Sequence, residues 1–199
     1  MKLLQKPGGF ERRQVMCKRF LVLMVAGLLW LSMANIGYAA QTADITVTVT
    51  CRMLSVSVSP SSYDFGTVNE GSDTVSTSSI TVTNNGNAAE TYQIKLTAVS
   101  GWTAVQTGTP GADQYMLSAI FHTTGTPPIV GDFADNDALS TSYATCSATV
   151  FAQDDTPPET GVSVSATDTR NLWFKFYAPS STTVGTEQSI TVTINATAA

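Results

Sequence analysis

The stretch Asp44–Pro60, DITVTVTCRMLSVSVSP, decides how the chain is read. Ile45, Val47, Val49 and Cys51 alternate with Thr46, Thr48 and Thr50; then Met53 meets Leu54, and Val56 and Val58 continue in the other parity. Side chains two apart on a strand share a face, so this ribbon changes faces near Arg52. A strand that crosses from one sheet to another bends at a bulge or kink, and the extra residue at 52–54 supplies one. The pattern therefore predicts residues 45–51 in one sheet and 54–59 in the other. The same break leaves 44–51 as a separable strand, able to pair with its own domain or with a neighbour's.

Upstream of this stretch the chain changes character. Lys2, Lys6, Arg12, Arg13, Lys18 and Arg19 precede an apolar run from Phe20 to Leu31, and Gly37-Tyr38-Ala39 offers small residues for cleavage. That is the layout of a secretory signal peptide over residues 1–39, with Met1 or Met16 as the start. The run is shorter than the roughly 20 apolar residues of a membrane span. Cys17 precedes the run, which argues against a lipid anchor, and the basic residues after Gly9-Phe10-Glu11 argue against a prepilin leader. The remaining 160 residues, 40–199, suit one domain.

After cleavage Arg52, Lys95, Arg170 and Lys175 stand against 14 carboxylates, a net charge of −10. Such a surface repels phosphate backbones and argues against nucleic acid or anionic lipid as partners, the leader being the one segment with business at a membrane. Cys51 and Cys146 survive, and an even count in an exported chain favours a disulfide between them. It would close a loop of roughly 95 residues, worth about 4–5 kcal/mol on the chain-entropy account.

Beyond Pro60 the sequence keeps a period of two, rich in Thr, Ser and Val and punctuated by Gly, Pro and Asn. Strands are expected at 63–68, in SSITVTNNGN from Ser78, in TYQIKLTAV to Val99, at 114–122, at 143–151, at 162–166, at 171–178 and in EQSITVTIN. Asn84-Asn85-Gly86-Asn87 reads as a hairpin turn. QYMLSAIFH lacks clean alternation, which predicts a strand buried on both faces. About nine or ten short strands with turn signals between them predict an all-β, antiparallel, Ig-like or pilin-like Greek-key sandwich. Ser-Ile-Thr-Val-Thr at 79–83 and 189–193 reflects shared strand composition rather than duplication.

The stretch from Thr50 to Asn87 carries Cys51 in an early strand, then Asp64-Phe65-Gly66, then Ile80-Thr81-Val82. In these motifs it resembles spore-coat-U and chaperone–usher fimbrial subunits, and the DFG-x-V and TNxGN-like turn also resemble Ig-like ASPM/SPD-2/Hydin modules. The resemblance covers about 40 of the 160 residues. This chain has Asn84 where fimbrial modules carry their second Cys, and it lacks an aromatic near the C-terminus. The fimbrial resemblance implies a sandwich that polymerises by β-strand addition. Asp44–Thr50 is then the donor, with Ile45, Val47 and Val49 as its plugs.

Chemistry leaves little trace. His122, the one histidine, ends an apolar strand with no triad motif around it. Asp132, Asp135 and Asp137 offer oxygens for Ca²⁺ without EF-hand spacing, and Asp154-Asp155 is a second acidic pair. No constellation marks an enzyme, a metal centre or a cofactor site. Trp173, Lys175 and Tyr177 share one face of a strand and form the candidate ligand face for a saccharide, with core packing as the plainer role; Trp102 is a further loop aromatic. Asn195-Ala196-Thr197 matches a glycosylation sequon. The expectation is an exported structural subunit, periplasmic, secreted or at the cell surface, whose partners are its own kind or related subunits. A carbohydrate- or protein-binding module is the alternative.

Overall fold

The computed structural model describes residues 42–122, 127–153 and 159–199. The chain divides into two units, Met1–Val49 and Thr50–Ala199. The leader expected over 1–39 and the pair Asp154-Asp155 lie outside the described residues.

Thr50–Ala199 is an all-β sandwich. Its strands are β1 (Val56–Ser59), β2 (Asp73–Val75), β3 (Ile80–Asn84), β4 (Glu90–Leu96), β5 (Thr103–Ala104), β6 (Gln114–Phe121), β7 (Ala144–Thr145), β8 (Thr169–Tyr177) and β9 (Val192–Ala198). One sheet runs β1-β3-β8-β6-β5, with β2 also on β8; the other runs β7-β4-β9. Pairing is antiparallel except between β5 and β6. β2 and β3 lie along the same side of β8, and Ser76 bridges the break between them. Its N–H donates to Phe174 O (2.8 Å), and its hydroxyl accepts from Phe174 N–H (3.0 Å).

From β3 onward, apart from the short step between β5 and β6, the chain changes sheet at each strand: β3 to β4, β4 to β5, β6 to β7, β7 to β8 and β8 to β9. The reason is visible in the side chains. Ile80 and Val82 on β3 are buried, and so are Tyr92, Ile94 and Leu96 on β4. Each strand has one apolar face, and two such faces are satisfied together when they oppose each other across a core. The core formed this way joins Ile80, Val82, Leu117, Phe121, Leu172 and Phe174 of the first sheet to Tyr92, Ile94 and Leu96 of the second.

Several expectations are corrected here. Asn84–Asn87 is a crossover between sheets, not a hairpin, because β3 pairs with β1 and β8 while β4 pairs with β7 and β9. Residues 45–51 join no sheet, so the parity change at 52–54 does not carry a strand from one layer to the other. Tyr63–Val68 is not a strand. Gly66 takes φ +65°, its N–H bonds to Asp64 Oδ1 (2.7 Å), and Tyr63 and Phe65 pack edge-on at 4.9 Å against the core. Of residues 143–151 only Ala144–Thr145 is strand, since the Ser147 hydroxyl accepts from Thr149 and Val150 N–H and turns the chain. At 162–166 a single bridge, Val164 to Glu90, remains.

The expectation for 114–122 holds: β6 is buried from Tyr115 to Phe121. Its inner face meets the main core. On its outer face Ile120 packs with Trp173 of β8 and with Phe133, from the segment carrying the short 3₁₀ turns Val130–Asp132 and Asp135–Asp137.

Candidate functional site: an open seam and an unpaired arm

The edge formed by β1 and β9 is less covered than the centre of the sandwich. On β1, Val58 stands opposite Val82 of β3, and opposite residues on paired strands share a face. Yet Val82 is sealed and Val58 is 41 % exposed, so core coverage runs out at β1. β9 is the outer strand of the other sheet. Its Val192, Ile194 and Ala196 stand opposite the buried Leu96, Ile94 and Tyr92 and pack against the core, yet are only partly buried themselves. β1 and β9 approach each other across the sandwich, and neither has a second strand partner among the described residues. This edge is a seam about seven residues long, lined by half-covered apolar side chains, with a row of backbone N–H and C=O groups along β9.

The described part of the first unit, residues 42–49, has no regular structure. Ile45, Val47 and Val49 are 87 %, 83 % and 84 % exposed. Isolated exposed apolar residues are ordinary on proteins, but three at strand spacing are a ribbon face without a sheet.

The base of this arm is gripped from the crossover. The Asn87 side chain accepts from Met53 N–H and donates to Cys51 O, both at 2.8 Å. Asn87 N–H donates to Met53 O (3.1 Å), Asn85 N–H to Ser55 O (2.7 Å), and Ser55 N–H to Glu90 Oε1 (2.6 Å). Glu90 is fully buried, and its Oε2 has no hydrogen-bond partner. Gly86 is required at this point, because a Cβ there would lie 2.5 Å from both Glu90 Oε1 and Met53 O. Asn84 braces the crossover by donating to Ala88 O and Val164 O while accepting from Gly86 N–H. The sequence reading missed both the seam and this grip. The asparagine cluster was the signal, but a turn-forming composition does not say whether the turn pairs or separates its strands.

The remaining candidates are placed as follows. Cys51 and Cys146 are both free, which corrects the expected disulfide. Cys51 is exposed at the arm's base. Cys146 is buried with its N–H on Tyr92 O (2.9 Å), and its Sγ would be 2.7 Å from a Cβ at Gly161. It packs as a small apolar group, and burial pushes its thiol up to about 12. Trp173 is 4 % exposed and lies against Ile120 and Phe133, while the Lys175 ammonium sits 5.3 Å above the Phe133 ring. The Trp173, Lys175 and Tyr177 row is therefore roofed at its tryptophan and is not an open stacking face. Trp102 stacks at 6.0 Å on Phe176 and donates to Thr182 Oγ1 (2.9 Å), a core-edge role.

Of the three aspartates proposed for Ca²⁺, Asp135 is exposed, and Asp132 and Asp137 hold backbone. Asp132 Oδ2 accepts from Ile129 N–H (2.7 Å), and Asp137 accepts from Ala134 N–H (2.8 Å) and Phe151 N–H (2.6 Å). Asp137 is fully buried, and no metal-type grouping of His, Cys, Asp or Glu occurs among the described residues. His122 is buried, edge-on to Trp173 at 6.4 Å. Asn195 of the sequon donates to Gln93 Oε1 (3.1 Å) on the outer face of the β4–β9 sheet. Asp113 is held below the usual carboxylate range by Thr183 N–H, then by the hydroxyls of Thr183 and Thr182, and so pins the 182–183 turn. Desolvation, then the nearby Glu90 carboxylate, raises the Tyr92 phenol to about 12.

Comparison of the sequence with protein-family models and with curated proteins gives no match.

Proposed function

We propose that this is an exported structural subunit that assembles by β-strand addition, its arm Asp44–Thr50 completing the β1/β9 seam of another copy or a related subunit. Export rests on the leader pattern of residues 1–39, and the acidic surface suits a soluble exported chain. The observation that carries the assembly reading is a match of parts. A seven-residue free edge bears half-covered Val192, Ile194 and Ala196, and a seven-residue ribbon bears exposed Ile45, Val47 and Val49 at the same period. A strand laid beside β9 would satisfy its open backbone row and bring the plugs over the core. Burying three such side chains is worth roughly 5–9 kcal/mol before the costs of association.

The test is light scattering after size exclusion on the chain from Ala40, with and without residues 40–50. The intact chain is expected to form dimers and larger species, and the shortened chain to stay monomeric and bind a synthetic Asp44–Thr50 peptide. A monomer in both forms with no peptide binding removes the reading.

A further inference from the structure

Asn87 and Glu90 do more than close a crossover. We infer that they are positioning residues for assembly: by holding residues 51–55 extended, they withhold the arm from its own seam and reserve it for another copy's. The inference rests on the strand-donor reading above.

The argument begins with competition. An arm joined to its own body by a few residues meets its own seam at an effective concentration in the mM range. Copies present at µM concentration lose to it by about a thousandfold unless self-pairing is blocked. Both β9 and β1 extend away from the Asn84–Glu90 crossover, so to lie along either of them the arm must turn back between Thr50 and Val56. That is the segment held by five hydrogen bonds, and they reach Cys51, Met53 and Ser55, every second residue, as a partner strand would. A ribbon fixed at that period has no slack for a reverse turn.

The cost of the device supports its having a purpose. Glu90 is a fully buried carboxylate whose Oε2 has no hydrogen-bond partner, and an apolar side chain packed there would be cheaper. In some proteins buried polar groups are kept because they select one arrangement over others, the role we assign to Glu90. Gly86 is shaped to the same end, since any side chain would strike Glu90 Oε1 and Met53 O. The contacts go to the backbone of 51–55, so they fix the path of the segment rather than read its sequence.

A labelled Asp44–Thr50 peptide titrated into the chain from Ala40 tests this. With the arm kept out of its own seam, the unsubstituted chain at sub-assembly concentration binds the peptide. Asn87→Ala removes two of the five bonds at an exposed position. It frees the arm to fold back and weakens peptide binding at least tenfold. Deleting residues 40–50 from Asn87→Ala restores the affinity, because the competitor is gone. Glu90→Leu removes the acceptor for Ser55 N–H and weakens peptide binding in the same direction, again restored when residues 40–50 are deleted. Equal affinity of Asn87→Ala and the unsubstituted chain overturns the inference. So does a loss that persists after the arm is deleted, which would mark Asn87 as a fold residue alone. Peptide binding to no form, including the arm-deleted one, fails the strand-donor reading itself.

Discussion

β6 is covered on both faces and β8 on its inner face and at Trp173, by the main core on one side and by Phe133 and the 3₁₀ turns on the other, whereas the inner row of β1 and β9 is only partly covered. Both pairs carry the same kind of residue at the same period. What differs is the lateral position: at the centre each apolar side chain has neighbours on both flanking strands, and at the seam one flank is missing. A sheet edge that keeps an apolar inner row and no charge to guard it is unusual in a monomer, which blunts such edges with Lys, Pro or a covering loop. β9 carries no Lys or Pro, and its residues run Val-Thr-Ile-Asn-Ala-Thr-Ala.

The largest effects belong to the closed centre. Phe121 is fully buried between β6 and the Phe151 and Gly161 loops. Phe121→Ala is expected to cost about 3–5 kcal/mol, read as a shift in the urea midpoint with unchanged slope. A loss under 1 kcal/mol would mean that the centre is not the rigid part of the sandwich. Asp137→Ala comes next. It strips acceptors from Phe151 and Ala134 N–H in a buried site, at a cost of about 2–4 kcal/mol. Added Ca²⁺ is expected not to shift the unfolding of the unsubstituted chain. A Ca²⁺-dependent rise in stability that Asp137→Ala abolishes would return these aspartates to metal binding.

At the seam the balance reverses. Ile194→Ala removes a side chain that is only half-covered, so the arm-free chain should lose about 1–2 kcal/mol, near the low end for aliphatic truncation. Affinity for the Asp44–Thr50 peptide should nevertheless fall about tenfold, because the lost surface is the surface the donor covers. Equal peptide affinity with and without Ile194 would separate the arm from this edge.

The same contrast explains what could be read without coordinates. The β6 and β8 segments were legible because burial on one or both faces leaves a pattern: QYMLSAIFH is nearly continuous, and Leu172, Phe174 and Phe176 alternate. The alternation of Val192 and Ile194 with Thr193 and Asn195 is in the sequence too. The layer changes were not legible. Asn84–Asn87 has the residues of a hairpin, and only the need of β3 and β4 to oppose their apolar faces makes it a crossover. Ile45–Cys51 has the alternation of a strand, but alternation states a capacity to pair and not that a partner is present. The disulfide failed for a related reason: a pair of cysteines sets a count, not a separation or an orientation. The clamp was beyond reach because it binds backbone, which every sequence has.

The two cysteines give the smallest and most direct probe of the open and closed regions. Cys51 is exposed beside the arm, and Cys146 is buried under Gly161. A thiol-disulfide reagent at pH 8 should therefore label one thiol per folded chain from Ala40 and two in urea, since only the thiolate reacts and Cys146 is kept protonated. Labelling of neither thiol in the folded chain, with both appearing after reduction, would restore the disulfide. Alkaline pH reads the same burial as stability. Cys146 is raised from 9.0 to about 12 and Tyr92 from 10.0 to about 12, so the folded state holds both protons more tightly than the unfolded chain. Their contribution is complete below about pH 9 and is lost as pH climbs from there toward 12. Cys146→Ser, whose hydroxyl does not titrate in this range, should flatten the fall in unfolding free energy between pH 9 and 11 by about 1–2 kcal/mol. An unchanged slope would place the Cys146 thiol in contact with water and open a region that the packing of Phe121 and Gly161 closes.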